Sequence, residues 1–239
     1  MVSALILLLT LFASFFGTVT GFGTSTIVVP VLAIWFPLPE VLLFVGIIHW
    51  FGDIWKMYFF KRGINWKLIL LFGIPGIIAS YIGASIPLLV DSSTLERLLA
   101  VFLFLYTIYI FFKPEWKIPE KDGSAVTGGL LSGFMAGIFG VGGAVRGAFL
   151  SSFSLPKSVY IFTSGAIAFL IDSTRLTRYY TGGITFEDFS LTLLAIAIPT
   201  SFLGAYLAKK TVNKIPQDKF RYVIGLGLLF ASVMLFIGL

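Results

Sequence analysis

Apolar residues occupy long runs of this chain, and most runs are close to 20 residues in length. A helix needs about 20 apolar residues to cross a hydrocarbon core of about 30 Å, whereas the strands of an outer-membrane barrel alternate in segments of about ten residues. The pattern therefore predicts an all-α integral membrane protein. Six runs are predicted to cross the bilayer as single helices, over residues 41–60, 68–89, 95–112, 159–179, 189–208 and 220–237. Trp66, Trp116, Tyr179 and Tyr180 near their ends are typical of membrane-interface anchors.

Two further apolar segments, residues 3–36 and 124–154, are too long for one untilted helix and too short for two good ones. Each has clustered glycines at its centre, in Gly21-Phe22-Gly23 and in Gly140-Val141-Gly142-Gly143. Glycine costs about 1 kcal/mol relative to alanine inside a helix, so the clusters favour a turn. Each segment is predicted to be a helical hairpin that enters the membrane, turns at depth and returns to the same side. Two full crossings per segment are the alternative.

The two halves of the chain resemble each other, which predicts an internal duplication. Residues 1–113 form the first membrane repeat, residues 124–239 the second, and residues 114–123 a cytoplasmic linker. The ordered matches are Phe22-Gly23 with Phe139-Gly140, Leu38-Pro39 with Leu155-Pro156, and Asp53-Ile-Trp-Lys56 with Asp172-Ser-Thr-Arg175.

Composition narrows the class of protein further. The chain has 239 residues, of which 58% are hydrophobic and 12% charged, whereas soluble domains carry about 25% charged residues. The net charge of +6 indicates an excess of lysine and arginine, which in a membrane protein is typical of cytoplasmic loops. No basic run is long enough to form a nucleic-acid-binding surface. The chain has no cysteine and one histidine, so thiolate sites and histidine metal clusters are excluded. Neither a cofactor nor a metal is expected.

The distribution of lysine and arginine predicts the orientation in the cell membrane. Loops rich in these residues face the cytoplasm. The acidic or nearly uncharged turns near Glu40, residues 91–96 and Glu187-Asp188 are then outside. Each repeat has three crossings and a hairpin, and this odd number inverts the second repeat relative to the first. Inverted repeats are typical of secondary transporters, whose substrate binds near the midplane. The basic residues used are Lys61, Arg62 and Lys67, then Lys113, Lys117 and Lys121 in and beside the linker, and Lys209, Lys210, Lys214 and Lys219.

These motifs resemble the TauE/SafE (sulfite exporter) family over essentially the whole chain. The resemblance rests on the two glycine hairpins, the following Leu-Pro pairs, the Asp-x-x-Lys/Arg helices and the small-residue helix at 75–84. It implies transport of small anions, often sulfur oxyanions or organosulfonates, across the cytoplasmic membrane. The first hairpin departs from the second, with Thr24-Ser25-Thr26 in place of Val141-Gly142-Gly143.

The hairpin breaks are the predicted anion site. Backbone amides at the start of a returning half-helix, together with the helix dipole, suit an anion, and unwound backbone at this depth must be buried in protein or line a wet cavity. The alternative is that the glycines only allow close helix packing. The residues of the predicted site are Gly21, Gly23, Thr24, Ser25, Thr26, Gly140, Gly142, Gly143 and Arg146.

Arg146 follows the second glycine cluster within an apolar half-helix. A cation at this depth needs a counter-charge, a cavity or the interface, and the arginine fork matches the oxygens of sulfite or a sulfonate. The alternatives are a structural ion pair and snorkelling to the interface.

The second group of polar residues is predicted to gate the pathway or to exchange coupling protons. His49, Asp53 and Lys56 are spaced to share one helix face, which must point into the bundle. Asp172 and Arg175 are the counterparts of Asp53 and Lys56 in the second repeat. The alternative for both pairs is a local ion pair on each helix.

The leading hypothesis is a secondary anion transporter that works by alternating access. A passive anion channel is the first rival, and active accumulation of substrate would separate the two. An intramembrane enzyme is the second: a serine could pair with His49, but Ser164 lacks the Gly-x-Ser-Gly context of a rhomboid-like protease. A structural membrane subunit is the third. The expected partners are the anion, the lipid bilayer and coupling protons, without nucleic acid; the oligomeric state is unknown.

Overall fold

A computed structural model describes residues 2–61, 63–112, 118–212 and 228–237, and these residues form an all-α protein. The helices follow in the order α1 Val2–Thr20, α2 Ser25–Leu32, α3 Leu38–Phe59, α4 Trp66–Ser85, α5 Ser92–Phe112, α6 Asp122–Phe139, α7 Gly142–Leu150, α8 Lys157–Thr181, α9 Leu191–Thr211 and α10 Leu228–Ile237. Single 3-10 turns, Ile86–Leu88 and Ser151–Phe153, extend α4 and α7.

Five helices are long and apolar enough to cross a membrane: Val2–Thr20, Leu38–Phe59, Trp66–Leu88, Lys157–Thr181 and Leu191–Thr211. Four of them coincide with predicted spans, and α5 covers the predicted segment 95–112. Of the sixth predicted span, residues 228–237 are helical and the rest lie outside the described residues. The fifth apolar helix, α1, was predicted as half of a hairpin but is itself long enough to span.

Both long segments break at the predicted glycines. Gly21 and Gly23 have φ angles of +77° and +88°, and Gly140 has a φ angle of +70°. This left-handed region is open to glycine at little cost, so the chain can end one helix and begin the next within a few residues. The two helices of each broken segment differ in length: α1 and α6 have 19 and 18 residues, whereas α2 and α7 have eight and nine. Helices as short as α2 and α7 reach less than half of the hydrocarbon thickness at 1.5 Å per residue.

The two halves of the chain interlock through their long helices. Helix α6 of the second half packs along α4 of the first, and α1 of the first half packs along α9 of the second. Glycines let the backbones touch: a Cβ added to Gly133 would lie 2.2 Å from the Gly76 carbonyl oxygen, and one added to Gly204 would lie 2.6 Å from that of Leu11. Close backbone contact through small residues is a usual way for membrane helices to associate.

Acidic and basic loops collect at opposite ends of the bundle. At one end Glu40 Oε2 accepts hydrogen bonds from the Glu187 and Asp188 amides, and the Leu38 amide donates to Ser92 Oγ at 3.0 Å. At the other end Lys67 Nζ lies 2.7 Å from Asp122 Oδ1. The grouping agrees with the predicted assignment of loops to two sides.

The aromatic anchors are only partly as predicted. Trp66 and Tyr180 are exposed, but Tyr179 is fully buried, and Trp116 lies outside the described residues. Its ring lies beneath the Arg175 guanidinium, and its hydroxyl donates to the Gly137 carbonyl. The prediction that Tyr179 is an interface anchor was therefore wrong, because the last turn of α8 directs this side chain into the bundle.

At the acidic end, Asp91 precedes the first turn of α5. Its carboxylate accepts hydrogen bonds from the Thr94 amide and the Ser93 hydroxyl, both at 2.9 Å. Bonds to the ionised form lower the pKa of Asp91 to about 2. The carboxylate thus stays charged at the start of the helix, where negative charge is favourable.

Candidate functional site

The two breaks are in direct contact inside the protein. A Cβ added to Gly143, at the start of α7, would lie 1.5 Å from the Phe22 carbonyl oxygen in the first break. The Phe22 ring in turn covers Gly147. The structure therefore brings together the two segments that the sequence singled out, one from each half of the chain.

The remaining predicted glycines are also packed against protein. A Cβ on Gly23 would lie 2.2 Å from His49 Nε2, and one on Gly142 would lie 2.2 Å from the Ser132 carbonyl oxygen. The Cβ side of each glycine is thus filled by the protein itself. A ligand at the second break would have to meet the amides at the start of α7 from another side.

The three predicted hydroxyl residues are buried at the start of α2, and each has a protein partner. Thr24 Oγ1 lies 3.2 Å from Ser14 Oγ on α1, and Thr26 Oγ1 donates to the Phe22 carbonyl at 3.0 Å. Ser25 Oγ lies 3.0 Å from His49 Nδ1 on α3. These contacts hold the first break against α1 and α3.

Two buried ion pairs lie on neighbouring helices. Lys56 Nζ is 2.7 Å from Asp53 Oδ1 on α3, and Arg175 Nε is 2.7 Å from Asp172 Oδ1 on α8. Each cation packs against a glycine of the other helix, Lys56 against Gly165 and Arg175 against Gly46. The local ion pairs considered from the sequence are therefore present, and they face each other across the interface between the two halves of the chain.

His49 connects the two ion pairs. Its Nδ1 atom lies 2.8 Å from Asp172 Oδ2, and its Nε2 atom lies 3.5 Å from Asp53 Oδ1. These carboxylate contacts are close approaches without hydrogen-bond alignment, whereas Nδ1 is in hydrogen-bonding position for Ser25 Oγ. One imidazole thus touches both carboxylates and the first break.

Arg146 is joined to the first break through a residue that the sequence did not assign to the site. Its Nε atom donates to Ser164 Oγ on α8 at 3.0 Å, and Ser164 Oγ donates to the Gly21 carbonyl at 3.0 Å. The only signal for Ser164 was the small polar triplet Thr163-Ser164-Gly165 in an apolar helix. The triplet is not a recognised motif, and the contact with Gly21 joins residues 143 positions apart.

Arg146 is 1% exposed. Among the described residues no carboxylate oxygen lies within 4.0 Å of its guanidinium, and its Nη2 atom has no hydrogen-bond acceptor. The charges of Asp53 and Asp172 act on it at longer range. A buried cation without a paired anion is strongly unfavourable, so this site favours binding of a negative ligand.

The charge balance of the whole cluster also favours a negative ligand. Three buried basic side chains, Lys56, Arg146 and Arg175, lie near two carboxylates, so the basic side chains outnumber the carboxylates by one. Arg175 Nη2 is a further buried donor without an acceptor.

The same region also contains three potential metal ligands. One atom each of His49, Asp53 and Asp172 lie within 4.8 Å of one another. However, Lys56 and Arg175 already contact the carboxylates at 2.7 Å. A metal ion would be repelled by these cations, so the cluster suits an anion better than a cation.

These features define a multi-pass α-helical membrane protein with an ionised site buried where two broken helices meet. A family model for the sulfite exporter TauE/SafE family matches residues 6–235, and the chain belongs to this family. It is also 28% identical, over 144 residues, to a probable membrane transporter protein of Methanocaldococcus jannaschii. That alignment covers 54% of each chain, so it spans about half the length of the relative.

Proposed function

We propose that this protein is a secondary transporter of small oxyanions, sulfite or organosulfonates above all, across the cell membrane. The observation that carries the proposal is the buried Arg146, whose Nη2 atom has no acceptor and whose charge has no carboxylate within ion-pair distance among the described residues. Membership of the sulfite exporter family supports the choice of substrate class.

Arg146 is suited to binding a sulfur oxyanion. The guanidinium is a planar fork of donors that pairs with two oxygens at once, and it stays charged when buried. Ser164 holds the Nε side of the fork, so the Nη2 side is left for the substrate. The amides at the start of α7 and the positive end of its dipole add to the attraction.

Alternating access would proceed by movement of the two interlocked halves around this site. Residues of both halves build the site, since Gly21, His49 and Asp53 come from the first and Arg146, Ser164 and Asp172 from the second. A relative shift of α3 and α8 would change the contacts of His49 with both carboxylates. Such a site can differ in affinity between two states, which a transport cycle requires.

Protons are the proposed coupling ion, and His49 is the proposed acceptor. A proton on His49 would lie between the Asp53 and Asp172 carboxylates, and it would add a positive charge to a cluster that also holds Lys56, Arg175 and Arg146. The added charge favours the anion, and by linkage the bound anion raises the affinity for the proton to the same degree. Proton and anion would therefore move in the same direction.

The test is uptake into proteoliposomes of the purified protein, comparing sulfite, thiosulfate, sulfate and small sulfonates with and without a pH gradient. Arg146→Ala should weaken anion affinity by more than tenfold, at least about 1.4 kcal/mol, and Arg146→Lys should recover part of it.

Arg178→Ala is the matched control, because Arg178 also donates its Nε to a serine of another helix, Ser85, at 2.8 Å. Its anion affinity should be unchanged. Unchanged affinity in folded Arg146→Ala protein would contradict the proposal.

A passive channel would use the same site but could not accumulate substrate. Uptake that never exceeds equilibrium under an imposed pH gradient would therefore favour the channel.

An intramembrane hydrolase is the remaining alternative, because Ser25, His49 and Asp53 form a serine–histidine–carboxylate series with contacts of 3.0 and 3.5 Å. Covalent labelling of Ser25 by a fluorophosphonate would favour that alternative, whereas the transporter proposal predicts no labelling.

A further inference from the structure

A second positively charged site lies at one end of the bundle. A cavity of about 670 Å³ opens where the end of α3, the start of α8 and the end of α9 meet. Its lining includes Lys61, Lys157 and Lys209 together with Tyr58, Phe59 and Val212. The described lining residues carry three positive charges and include no acidic side chain.

The three lysines are held at the cavity by specific contacts. Lys61 Nζ lies 5.6 Å from the centre of the Tyr58 ring, and Lys209 Nζ lies 5.1 Å from that of Phe59. Lys157 Nζ donates to the Val212 carbonyl just past the end of α9. The ammonium groups are thus kept beside the cavity, and each has further N–H donors to offer a ligand.

The location of the cavity indicates the kind of ligand. Helices α3, α8 and α9 are all candidate membrane spans, so the end they share lies at the boundary between membrane and water. Tyrosine beside lysine is typical of this zone. The excess of lysine and arginine in the loops predicts that this end faces the cytoplasm, where anionic phospholipids attract basic sites at the membrane surface.

We propose that this cavity binds the phosphate headgroup of an anionic phospholipid in the cytoplasmic leaflet. The headgroup phosphate would lie among Lys61, Lys157 and Lys209, and its acyl chains would run beside the apolar surfaces of the three helices. This site is separate from the anion site at Arg146 and does not depend on the proposed transport function.

The experiment measures the melting temperature of the purified full-length protein in mild detergent during titration with short-chain phosphatidylglycerol. Phosphatidylcholine of the same chain length and inorganic phosphate are the comparison ligands. Phosphatidylglycerol should raise the melting temperature in a saturable way, and phosphatidylcholine should not. If phosphate at millimolar concentration produces the same shift and competes with the lipid, the cavity is an aqueous anion vestibule and the proposal is wrong.

The variant Lys61→Gln/Lys209→Gln removes two charges and leaves the contact between Lys157 and Val212 intact. It should raise the half-saturating phosphatidylglycerol concentration at least tenfold. The control is Lys67→Gln/Lys121→Gln, which removes two charges near the same end but outside the cavity, and it should stay within twofold of the unmodified protein. A change of less than twofold in the cavity variant, or equal losses in both variants, would overturn the proposal.

Discussion

At the scale of single residues, the main feature is five ionised side chains buried in an apolar bundle. Asp53 with Lys56 and Asp172 with Arg175 neutralise each other at 2.7 Å. Arg146 has no such partner among the described residues; its hydrogen bond to Ser164 and the more distant charges of Asp53 and Asp172 stabilise it there. This excess of positive charge is the reason that the proposed ligand is an anion.

Ser164 is expected to be a positioning residue for Arg146. Ser164→Ala removes the acceptor of the Nε hydrogen bond, and hydrogen bonds to charged groups contribute about 1.5–3 kcal/mol. We expect anion affinity to fall about tenfold or more with little change in maximal rate, measured by uptake at varied substrate concentration.

Two variants control for a general packing effect. Ser164→Thr keeps the hydroxyl and should recover affinity, while Ser201→Ala removes a buried hydroxyl of α9 that bonds only within its own helix. Equal effects of Ser164→Ala and Ser201→Ala would show that the hydroxyl does not position the guanidinium.

The roles of the Asp53–Lys56 pair in stability and in coupling can be separated. Asp53→Asn leaves Lys56 buried and unpaired, and breaking a buried pair costs about 3–5 kcal/mol, so the yield of folded protein should fall. Asp53→Asn/Lys56→Gln should restore stability, measured by thermal unfolding in detergent. It should not restore transport driven by a pH gradient, although anion exchange should continue.

Asp122→Asn is the control, because the Asp122–Lys67 pair is exposed and such pairs contribute about 0–1 kcal/mol. If the Asp53→Asn/Lys56→Gln protein recovers gradient-driven transport, this pair is structural only and has no part in coupling.

At the scale of elements, the contact between α4 and α6 is the most extensive in the fold. Backbones approach each other along a row of glycines in α6, where a Cβ on Gly129 would lie 2.3 Å from the Phe72 carbonyl oxygen. Because α4 lies in the first half of the chain and α6 in the second, this contact ties the two halves together.

A methyl group in this row should separate the helices. Gly133→Ala would place a Cβ 2.2 Å from the Gly76 carbonyl oxygen, and backbone cannot move aside as a side chain can. We expect a loss of about 1–3 kcal/mol or more in unfolding free energy, seen as a lower melting temperature. Gly123→Ala, in the same helix with nothing within 4 Å, should be neutral or slightly stabilising. Equal stability of the two variants would contradict the packing described for α4 and α6.

At the scale of the whole molecule, the separation of acidic and basic ends predicts the topology. The native chain has no cysteine, so single cysteines report accessibility without interference. Ser92→Cys and Asp188→Cys should react with an impermeant maleimide from outside, and Gly63→Cys and Lys121→Cys only from the cytoplasm. Labelling of the positions 92 and 63 from the same side would show that α4 does not cross between them.

The sequence by itself determined the features that depend on local chemistry. Apolar run length predicted the membrane helices, and clustered glycines predicted both helix breaks. The spacing of Asp53 with Lys56 and of Asp172 with Arg175 left a local ion pair on each helix as the alternative to a gating role, and both ion pairs are present. Each of these features depends on a few neighbouring residues and on the thickness of the bilayer. The amino-acid sequence of one chain is therefore enough to predict it. The inverted orientation of the repeats, the substrate and the coupling remain predictions.

Only the tertiary structure decided which of these local features meet. The contact of Gly143 with Phe22, the bridge from His49 to Asp172 and the link from Arg146 through Ser164 to Gly21 join residues more than 100 positions apart or on different helices. The fold also showed that the hydroxyls of Thr24, Ser25 and Thr26 are engaged by protein. Helix packing fixes such contacts through the shape of whole surfaces, and apolar membrane helices differ too little in sequence for that shape to be read from one chain.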